Sequence, residues 1–280
     1  TDCANLTAKP FIMRFVLGLI KPKKKIIGTD FVGEVISNGE EANKFEIGDK
    51  IMGFVDTGIQ SQAEFVIVKE EITLKIPNNI HHKRAIASME GGHYAYTIVK
   101  RTNLIPGQRV FINGATGAIG SALIQFVKTH GVKITATCNT KNIELIKSLG
   151  ADKIFDYTKE DFTKLDSEKY DYVFDAVGKS TFGKCKHLLK KKGVYISSEL
   201  GPFAQNIFYP FLTKLTNKKV IFPIPYPTKD SLPYIINGLK NKSFKPIIDK
   251  EYELENISKA YEYVMTGEKT GNVVININEN

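Results

Sequence analysis

The sequence predicts an α/β protein in which a doubly wound parallel sheet is joined to a smaller β-rich part. Apolar strand-like and helix-like segments alternate from residue 109 onward, which is typical of a parallel sheet covered by helices. A glycine-rich turn at 113–120 joins the first of these strands to the first helix. Short apolar runs separated by Gly and Asp turns fill residues 26–77, and they predict a small barrel.

The order of these segments along the chain predicts two domains. Strand candidates of the β-rich part lie at 26–36, 51–55, 63–68 and 72–76. A helical spacing follows at 81–103, with Gly91-Gly92 as its expected interruption. The second part has strand candidates at 109–113, 133–138, 153–157, 170–177, 194–198 and 220–225, and helical segments at 118–130, 142–149 and 181–190. Two further helices at 230–241 and 254–266 and a strand at 273–277 end the chain. We therefore assign residues 1–90 to one domain, to which 243–280 returns, and residues 91–242 to the parallel-sheet domain.

The turn after the first parallel strand predicts a dinucleotide site. It reads Asn113-Gly114-Ala115-Thr116-Gly117-Ala118-Ile119-Gly120, and Ala115 stands where the usual G-x-G-x-x-G pattern has its first glycine. Gly117 would let the backbone approach a pyrophosphate, and Gly120 would let the helix pack closely on the strand. Free N–H groups at the helix start would face the phosphates. The alternative is a plain glycine turn between a strand and a helix.

The residues after the second parallel strand favour NADPH over NADH. An acidic residue commonly ends this strand and accepts hydrogen bonds from the ribose hydroxyls. Here the strand is followed by Asn139, Thr140 and Lys141, so no carboxylate would repel a 2′-phosphate and Lys141 adds a positive charge. The alternative is a polar turn in which Asn139 or Thr140 caps the next helix.

Composition excludes several other classes of protein. The net charge is +9, but lysines are scattered through every segment, so we expect no nucleic-acid partner. The three cysteines, Cys3, Cys138 and Cys185, form no C-x-x-C pair, which argues against a disulfide scaffold or structural zinc. No apolar stretch is long enough to span a membrane, and no signal peptide is visible. We therefore expect a cytoplasmic protein with no membrane partner.

Several motifs together resemble the medium-chain dehydrogenase/reductase superfamily, in its zinc-independent quinone-oxidoreductase branch. They occur in the family's order over essentially the whole chain: Gly28-Thr29-Asp30-Phe31-Val32-Gly33-Glu34-Val35, Gly48-Asp49-Lys50-Ile51-Met52-Gly53, Ala63-Glu64-Phe65, Asn113 to Gly120, Leu149-Gly150-Ala151-Asp152 with Asp156-Tyr157, Phe174-Asp175-Ala176-Val177-Gly178, and Thr270-Gly271-Asn272-Val273-Val274. The resemblance implies a GroES-like β-barrel domain and a Rossmann NADP-binding domain. It also places Thr1-Asp2 in an early loop, so that the family's first strands would precede Thr1.

The same resemblance implies further site residues. Tyr157 matches a tyrosine near the adenosine phosphate, and Lys141 lies close to the position of a family lysine that binds this group. Val177, Gly178 and Ser198 fall at strand ends where the family contacts ribose and nicotinamide. Zinc-dependent members carry Gly-His-Glu where this chain has Gly28-Thr29-Asp30, so we expect no metal.

These features lead to the hypothesis of a metal-independent oxidoreductase. It would transfer a hydride from NADPH to a small-molecule substrate, which would be either a quinone or an α,β-unsaturated carbonyl compound. Tyr94 matches a family threonine near the nicotinamide and could donate a hydrogen bond to the substrate oxygen, or it could simply pack. Two alternatives are a zinc-independent alcohol dehydrogenase or carbonyl reductase, and a non-catalytic NADPH-binding sensor or structural protein. A homodimer through the Rossmann domain is compatible with the resemblance.

Overall fold

A computed structural model of the protein describes residues 2–8, 14–15, 18–21 and 23–277. The chain divides into two compact units. One consists of Thr1–Glu90, Pro227–Lys242 and Pro246–Asn280, and the other of Gly91–Tyr226 and Ser243–Lys245. The sequence pattern places 227–242 with the parallel-sheet domain, whereas here this stretch belongs to the first unit. The functional labels of the two domains stay predictions.

The described part of the first unit is built on two small sheets. Strands β1 (Asp30–Glu34), β2 (Lys50–Phe54) and β3 (Thr73–Lys75) form an antiparallel sheet in that order. Phe31, Val35, Phe45 and Ile51 pack beside it as one buried cluster. Strands β10 (Ile248–Glu253) and β11 (Asn272–Asn276) pair in parallel. Helices α1 (Asp2–Thr7), α8 (Thr228–Lys240) and α9 (Ile257–Met265) lie wholly in this unit.

Helix α2 (His82–Lys100) contains the boundary between the units, which falls between Glu90 and Gly91. It runs without interruption through Gly91 and Gly92, so the expected break at these glycines is wrong. Packing within the second unit explains the glycine at 91. A Cβ on Gly91 would lie 2.7 Å from the backbone carbonyl of Ala118, so only glycine permits this close approach.

The second unit is built on a parallel sheet of six strands in the described chain, in the order β6-β5-β4-β7-β8-β9. Its strands are β4 (Arg109–Asn113), β5 (Lys133–Cys138), β6 (Lys153–Asp156), β7 (Tyr170–Asp175), β8 (Leu189–Ser197) and β9 (Lys219–Ile221). The helices between them are α3 (Ala118–Lys128), α4 (Ile143–Leu149), α5 (Phe162–Leu165), α6 (Phe182–Cys185) and α7 (Gln205–Leu212). Strand β4 is central, and its Val110, Phe111 and Ile112 are fully buried. The predicted α/β class and doubly wound sheet are confirmed.

Two predicted segments differ from the structure. Residues 63–68 form no strand, although Val66 and Val68 pack against the buried cluster of the first unit. The helix expected at 181–190 ends at Cys185, because strand β8 already begins at Leu189.

No helix among the described residues combines the length and apolarity that crossing a bilayer requires.

Candidate functional site

The turn between β4 and α3 has a backbone that two of its glycines make possible. Gly114 adopts φ +80°, a region that L side chains rarely occupy. A Cβ on Gly120 would lie 2.1 Å from the Gly114 carbonyl oxygen and 2.8 Å from the Ala115 Cα. The first turn of α3 therefore lies directly on the end of β4, as the sequence predicts for Gly120.

Gly117 is different, because its missing side chain leaves open space. It caps α3 with φ −70° and ψ 170°, a conformation that any residue adopts. An added Cβ would meet nothing closer than the Gly114 carbonyl oxygen at 3.7 Å. The backbone N–H groups of the first helical turn have no intrahelical acceptors, and they point outward beyond the helix start. This cradle fits a phosphate group, since bare backbone and the positive end of the helix dipole meet there.

The cradle lies at the point where the strand order of the sheet reverses. Chain connections lead from β4 towards β5 and β6 on one side and towards β7, β8 and β9 on the other. In open α/β sheets, ligands bind at the carboxyl ends of the strands at this switch point. The predicted loop residues Ala115, Thr116, Gly117, Ala118 and Ile119 all follow the carboxyl end of β4, with Ala115 fully buried and the other four partly exposed.

A buried carboxylate holds the switch point together. Asp175, at the end of β7, is 0% exposed. It accepts hydrogen bonds from Asn113 Nδ2 at 3.0 Å, from Tyr195 Oη at 3.1 Å and from the backbone N–H of Ser180 at 3.1 Å. Burial, together with the nearby charge of Asp175, raises the pKa of Tyr195 above its usual range, so its hydroxyl remains a donor.

The same network fixes the start of the glycine-rich turn. Asn113 Oδ1 accepts a hydrogen bond from Thr137 Oγ1 at 2.8 Å, and Thr137 Oγ1 accepts one from the Gly114 N–H at 2.9 Å. The ends of β4, β5, β7 and β8 are thus linked by buried side chains. Sequence reasoning did not select Asp175, Thr137 or Tyr195 as site residues. Asn113 ends the strand candidate 109–113, and Asp175 lies near the end of the candidate 170–177; a polar residue at the end of each apolar run is the signal that could have identified the pair.

The three residues predicted on the nicotinamide side come together at the ends of β7 and β8. The backbone N–H of Ser198 donates to the Asp175 carbonyl oxygen at 3.1 Å, and Val177 is exposed. Gly178 has φ +65°, and a Cβ there would lie 2.7 Å from Glu199 Cγ. The two strand ends are therefore closely packed, while Val177 remains accessible.

The residues predicted on the adenosine side gather at the ends of β5 and β6. Asn139 begins a short 3₁₀ turn that contains Thr140 and Lys141, and its Oδ1 accepts a hydrogen bond from Asn142 Nδ2 at 2.7 Å. The Tyr157 N–H donates to the Cys138 carbonyl oxygen at 3.0 Å. Lys141 is exposed, as is Tyr157, with 52% of its surface accessible. The structure thus places Tyr157 beside the 139–141 turn.

A carboxylate that sequence reasoning did not consider also lies there. Asp156 ends β6 and is 6% exposed. Thr140 Oγ1 donates to one of its oxygens, and Thr158 donates to the other through its hydroxyl at 2.6 Å and its N–H at 3.0 Å. These hydrogen bonds, from Thr140 first, lower the pKa of Asp156 to about 2. The hydroxyl proton of Thr140 is therefore engaged within the protein.

Tyr94, the predicted catalytic residue, is partly exposed on α2. Its ring contacts the His93 ring edge to face, with centroids 5.5 Å apart, and His93 is fully buried. Positions 91 and 94 lie three residues apart, so they share one side of the helix. Gly91 is packed against Ala118, the first residue of α3. Tyr94 therefore lies on the side of α2 that faces the start of α3, and its role stays a prediction.

The segment that replaces the zinc-ligand motif contains Thr29, which is buried, and Asp30. Burial raises the pKa of Asp30 well above its usual range, and the charges of Glu90 and Asp2 raise it further. In the part of the chain that the structure describes, no group of three or more His, Cys, Asp or Glu side chains could hold a metal ion. Metal independence stays a prediction.

Comparison with known proteins supports an oxidoreductase. A family model described as "Zinc-binding dehydrogenase" matches residues 149–275. The chain is 29% identical over 277 residues to the quinone-oxidoreductase homolog of Spinacia oleracea chloroplasts, covering 94% of this chain and 84% of that protein. It is also 29% identical over 267 residues to an NADPH-dependent alkenal/one oxidoreductase of Arabidopsis thaliana chloroplasts, covering 91% of this chain and 64% of that protein.

A solved structure of similar fold is the quinone oxidoreductase of Coxiella burnetii. It superposes with a TM-score of 0.85 at 23% identity, covering 99% of this chain and 86% of that one. This similarity confirms the fold. Taken together, the sequence matches support an oxidoreductase that is similar to the quinone oxidoreductases of the medium-chain dehydrogenase/reductase superfamily.

Proposed function

We propose that this protein transfers a hydride from NADPH to a quinone or an α,β-unsaturated carbonyl, without a metal ion. The observation that carries the proposal is the Gly117 cradle at the switch point of the sheet, where bare backbone can approach a pyrophosphate. The names of the Spinacia and Arabidopsis relatives, a quinone-oxidoreductase homolog and an alkenal/one oxidoreductase, support the same substrate classes.

The preference for NADPH rests on the chemistry of the 139–141 turn. Lys141 is exposed and positively charged, and Asn139 lies next to Tyr157 at the same edge of the sheet. An NADH-selective site would present a carboxylate to the ribose hydroxyls. Asp156 would not bind the ribose hydroxyls, because it is buried and both of its carboxylate oxygens already accept hydrogen bonds from threonines. A 2′-phosphate would therefore meet the Lys141 ammonium rather than a free carboxylate.

The protein's own residues would bind and orient the reactants. The N–H groups at the start of α3 would hold the pyrophosphate, and the ends of β7 and β8, with Val177, Gly178 and Ser198, would fix the nicotinamide end. NADPH supplies the hydride when it is bound. A quinone or an enone needs less acid catalysis than a simple ketone, because the negative charge that hydride transfer places on the oxygen is delocalised. The Tyr94 hydroxyl would donate a hydrogen bond to that oxygen, and water would be the alternative proton source.

Steady-state oxidation of NADPH by the full chain tests this proposal. We expect turnover with 9,10-phenanthrenequinone and with a simple enone, slower turnover with NADH, and no loss of activity after treatment with a chelator. Turnover of simple ketones or alcohols in preference to enones would instead identify an alcohol dehydrogenase or carbonyl reductase. Tight NADPH binding without turnover of any carbonyl would identify a non-catalytic binding protein.

A further inference from the structure

Lys159 lies in the turn that follows strand β6, beside the predicted adenosine end of the cofactor site. Residues 157–159 form this turn, and the backbone N–H of Lys159 donates to the Asp156 carbonyl oxygen at 3.0 Å. The backbone N–H of Glu160 donates to the same oxygen, also at 3.0 Å. The Glu160 carboxylate accepts a hydrogen bond from the Asp156 N–H at 3.3 Å. These bonds close the turn on the end of β6 and fix the point from which the Lys159 side chain extends.

The Lys159 side chain leads back to the carboxylate that engages Thr140. Its Nζ lies 3.6 Å from Asp156 Oδ2, and Thr140 Oγ1 donates to the same oxygen. Thr140 belongs to the 139–141 turn, which follows β5, whereas Lys159 follows the neighbouring strand β6. Strand pairing therefore brings the Lys159 ammonium beside the turn that also contains Lys141.

The pairing with Asp156 leaves the Lys159 ammonium able to bind a ligand. A separation of 3.6 Å is longer than a hydrogen bond, so this contact uses none of the three N–H donors of the ammonium. Asp156 does not depend on the pair, because Thr140 and Thr158 already donate to both of its oxygens. The Lys159 side chain is 66% exposed, so rotation about its own bonds can carry Nζ from the carboxylate to an anion in solvent.

A phosphate group at the 139–141 turn would face one unfavourable charge. The pKa of Asp156 is about 2, so this carboxylate is ionised at neutral pH, and it also engages the Thr140 hydroxyl proton that could otherwise bind the phosphate. Lys141, next to Thr140, supplies one positive charge. The Lys159 ammonium offsets the charge of Asp156 and supplies a second cation at the same place.

We propose that Lys159 binds the 2′-phosphate of NADPH together with Lys141 and thereby helps to determine the preference for NADPH over NADH. A phosphate monoester carries a charge of about −1.5 to −2 at neutral pH and offers three acceptor oxygens, so two ammonium groups can bind it at once. An exposed ion pair has little effect on stability, and phosphate binding gives this lysine a role beyond its pairing with Asp156. The inference rests on the proposed function, because it concerns the cofactor of that reaction.

A second lysine that pairs with the aspartate three residues before it provides a matched control. Lys164 Nζ lies 3.7 Å from Asp161 Oδ2, and the Lys164 side chain is 80% exposed. Asp161 also accepts hydrogen bonds from the Thr163 N–H at 3.0 Å and from its hydroxyl at 2.6 Å, as Asp156 does from Thr158. The two pairs therefore match in spacing and in their threonine contacts. They differ in place, because Asp161 caps helix α5 whereas Asp156 also contacts the 139–141 turn.

Calorimetric binding of adenosine phosphates by the full chain tests the proposal without any turnover. The probes are 2′,5′-ADP, which carries the 2′-phosphate, and 5′-AMP, which lacks it. We expect the wild type to prefer 2′,5′-ADP, and Lys159→Gln should reduce this preference about 10-fold, the loss expected for one charge-assisted contact at an exposed site. Lys159→Arg should retain most of the preference, because a guanidinium group also binds phosphate. Lys164→Gln should bind both probes as the wild type does.

Steady-state kinetics provide a second measurement. Lys159→Gln should lower the ratio of kcat/KM for NADPH to kcat/KM for NADH about 10-fold, whereas a purely structural loss would lower both values alike. A wild-type preference for 2′,5′-ADP in Lys159→Gln, or an equal loss in Lys164→Gln, would overturn the assignment of Lys159 and leave the proposed function intact. Equal wild-type affinity for 2′,5′-ADP and 5′-AMP would overturn the proposed NADPH preference and this inference with it.

Discussion

Replacing Asp175 with asparagine should lower the free energy of unfolding by about 3 kcal/mol, because the carboxylate is fully buried and surrounded by donors. Asn113 Nδ2, Tyr195 Oη and the Ser180 N–H all donate to it. An amide of the same shape has one acceptor oxygen and one NH₂ group. Whichever way the amide turns, its NH₂ group faces at least one of these donors.

The magnitude follows from the bonds that are lost. Each hydrogen bond to a charged group contributes about 1.5–3 kcal/mol, and a buried unsatisfied donor costs about 1–3 kcal/mol. Removing the buried charge offsets part of this loss, because the anion no longer has to be desolvated. A net loss of about 3 kcal/mol should lower Tm by about 6–12 °C in a protein of this size.

Thermal unfolding of Asp175→Asn beside Asp171→Asn measures the effect. Both residues lie on β7, but the Asp171 side chain is 21% exposed and bonds to Lys190 Nζ and the Arg109 N–H. An asparagine at 171 keeps an acceptor for Arg109, so its loss should be about 1 kcal/mol or less. If both variants melt at the same temperature, the Asp175 network does not hold the switch point together.

Three other substitutions address separate parts of the molecule. Asp156→Asn should destabilise the protein most above pH 4, and the difference in melting temperature from the wild type should shrink as the pH falls towards 2. The reason is that the lowered pKa of Asp156 in the folded protein stabilises only its ionised form. A constant difference in melting temperature through a series of acidic buffers would contradict this. Tyr94→Phe should lower kcat/KM for an enone about 100-fold with an unchanged NADPH Kd, whereas full activity would leave water as the proton source. Gly120→Ala should cost about 3 kcal/mol or more in a denaturant titration, because its Cβ would lie 2.1 Å from the Gly114 oxygen; wild-type stability would refute this packing.

The central elements of the fold could be predicted because their sequence signals are local. Strand β4 is an apolar run that ends in a glycine turn, and strand β5 has the predicted bounds Lys133–Cys138. Helix α7 was not predicted, because its polar residues face inward and its apolar residues face outward, which is the reverse of the usual pattern. Gly91-Gly92 indicated a break, but close packing on Ala118 overrides the low helix propensity of glycine.

The candidate site could be predicted in part for the same reason. The glycines of the 113–120 turn lie within one short motif, and the structure shows how closely the backbone can be approached at each of them. Asp175 and Asn113 are 62 residues apart, and Thr140 and Asp156 are 16 residues apart, so their hydrogen bonds exist only once the strands pair. No pattern within one segment shows that Asp156 engages the Thr140 hydroxyl.

The most direct test of cofactor binding at this site is the NADPH dissociation constant of Gly117→Ala. The structure accommodates the added methyl group, since its nearest neighbour would be 3.7 Å away, and the backbone conformation is allowed for alanine. Tm should therefore change by only a few degrees, in keeping with an N-cap effect of about 1 kcal/mol or less. If the pyrophosphate lies against this backbone, fluorescence titration should show NADPH binding about 10- to 100-fold more weakly. Wild-type NADPH affinity in the folded variant would contradict binding at the cradle.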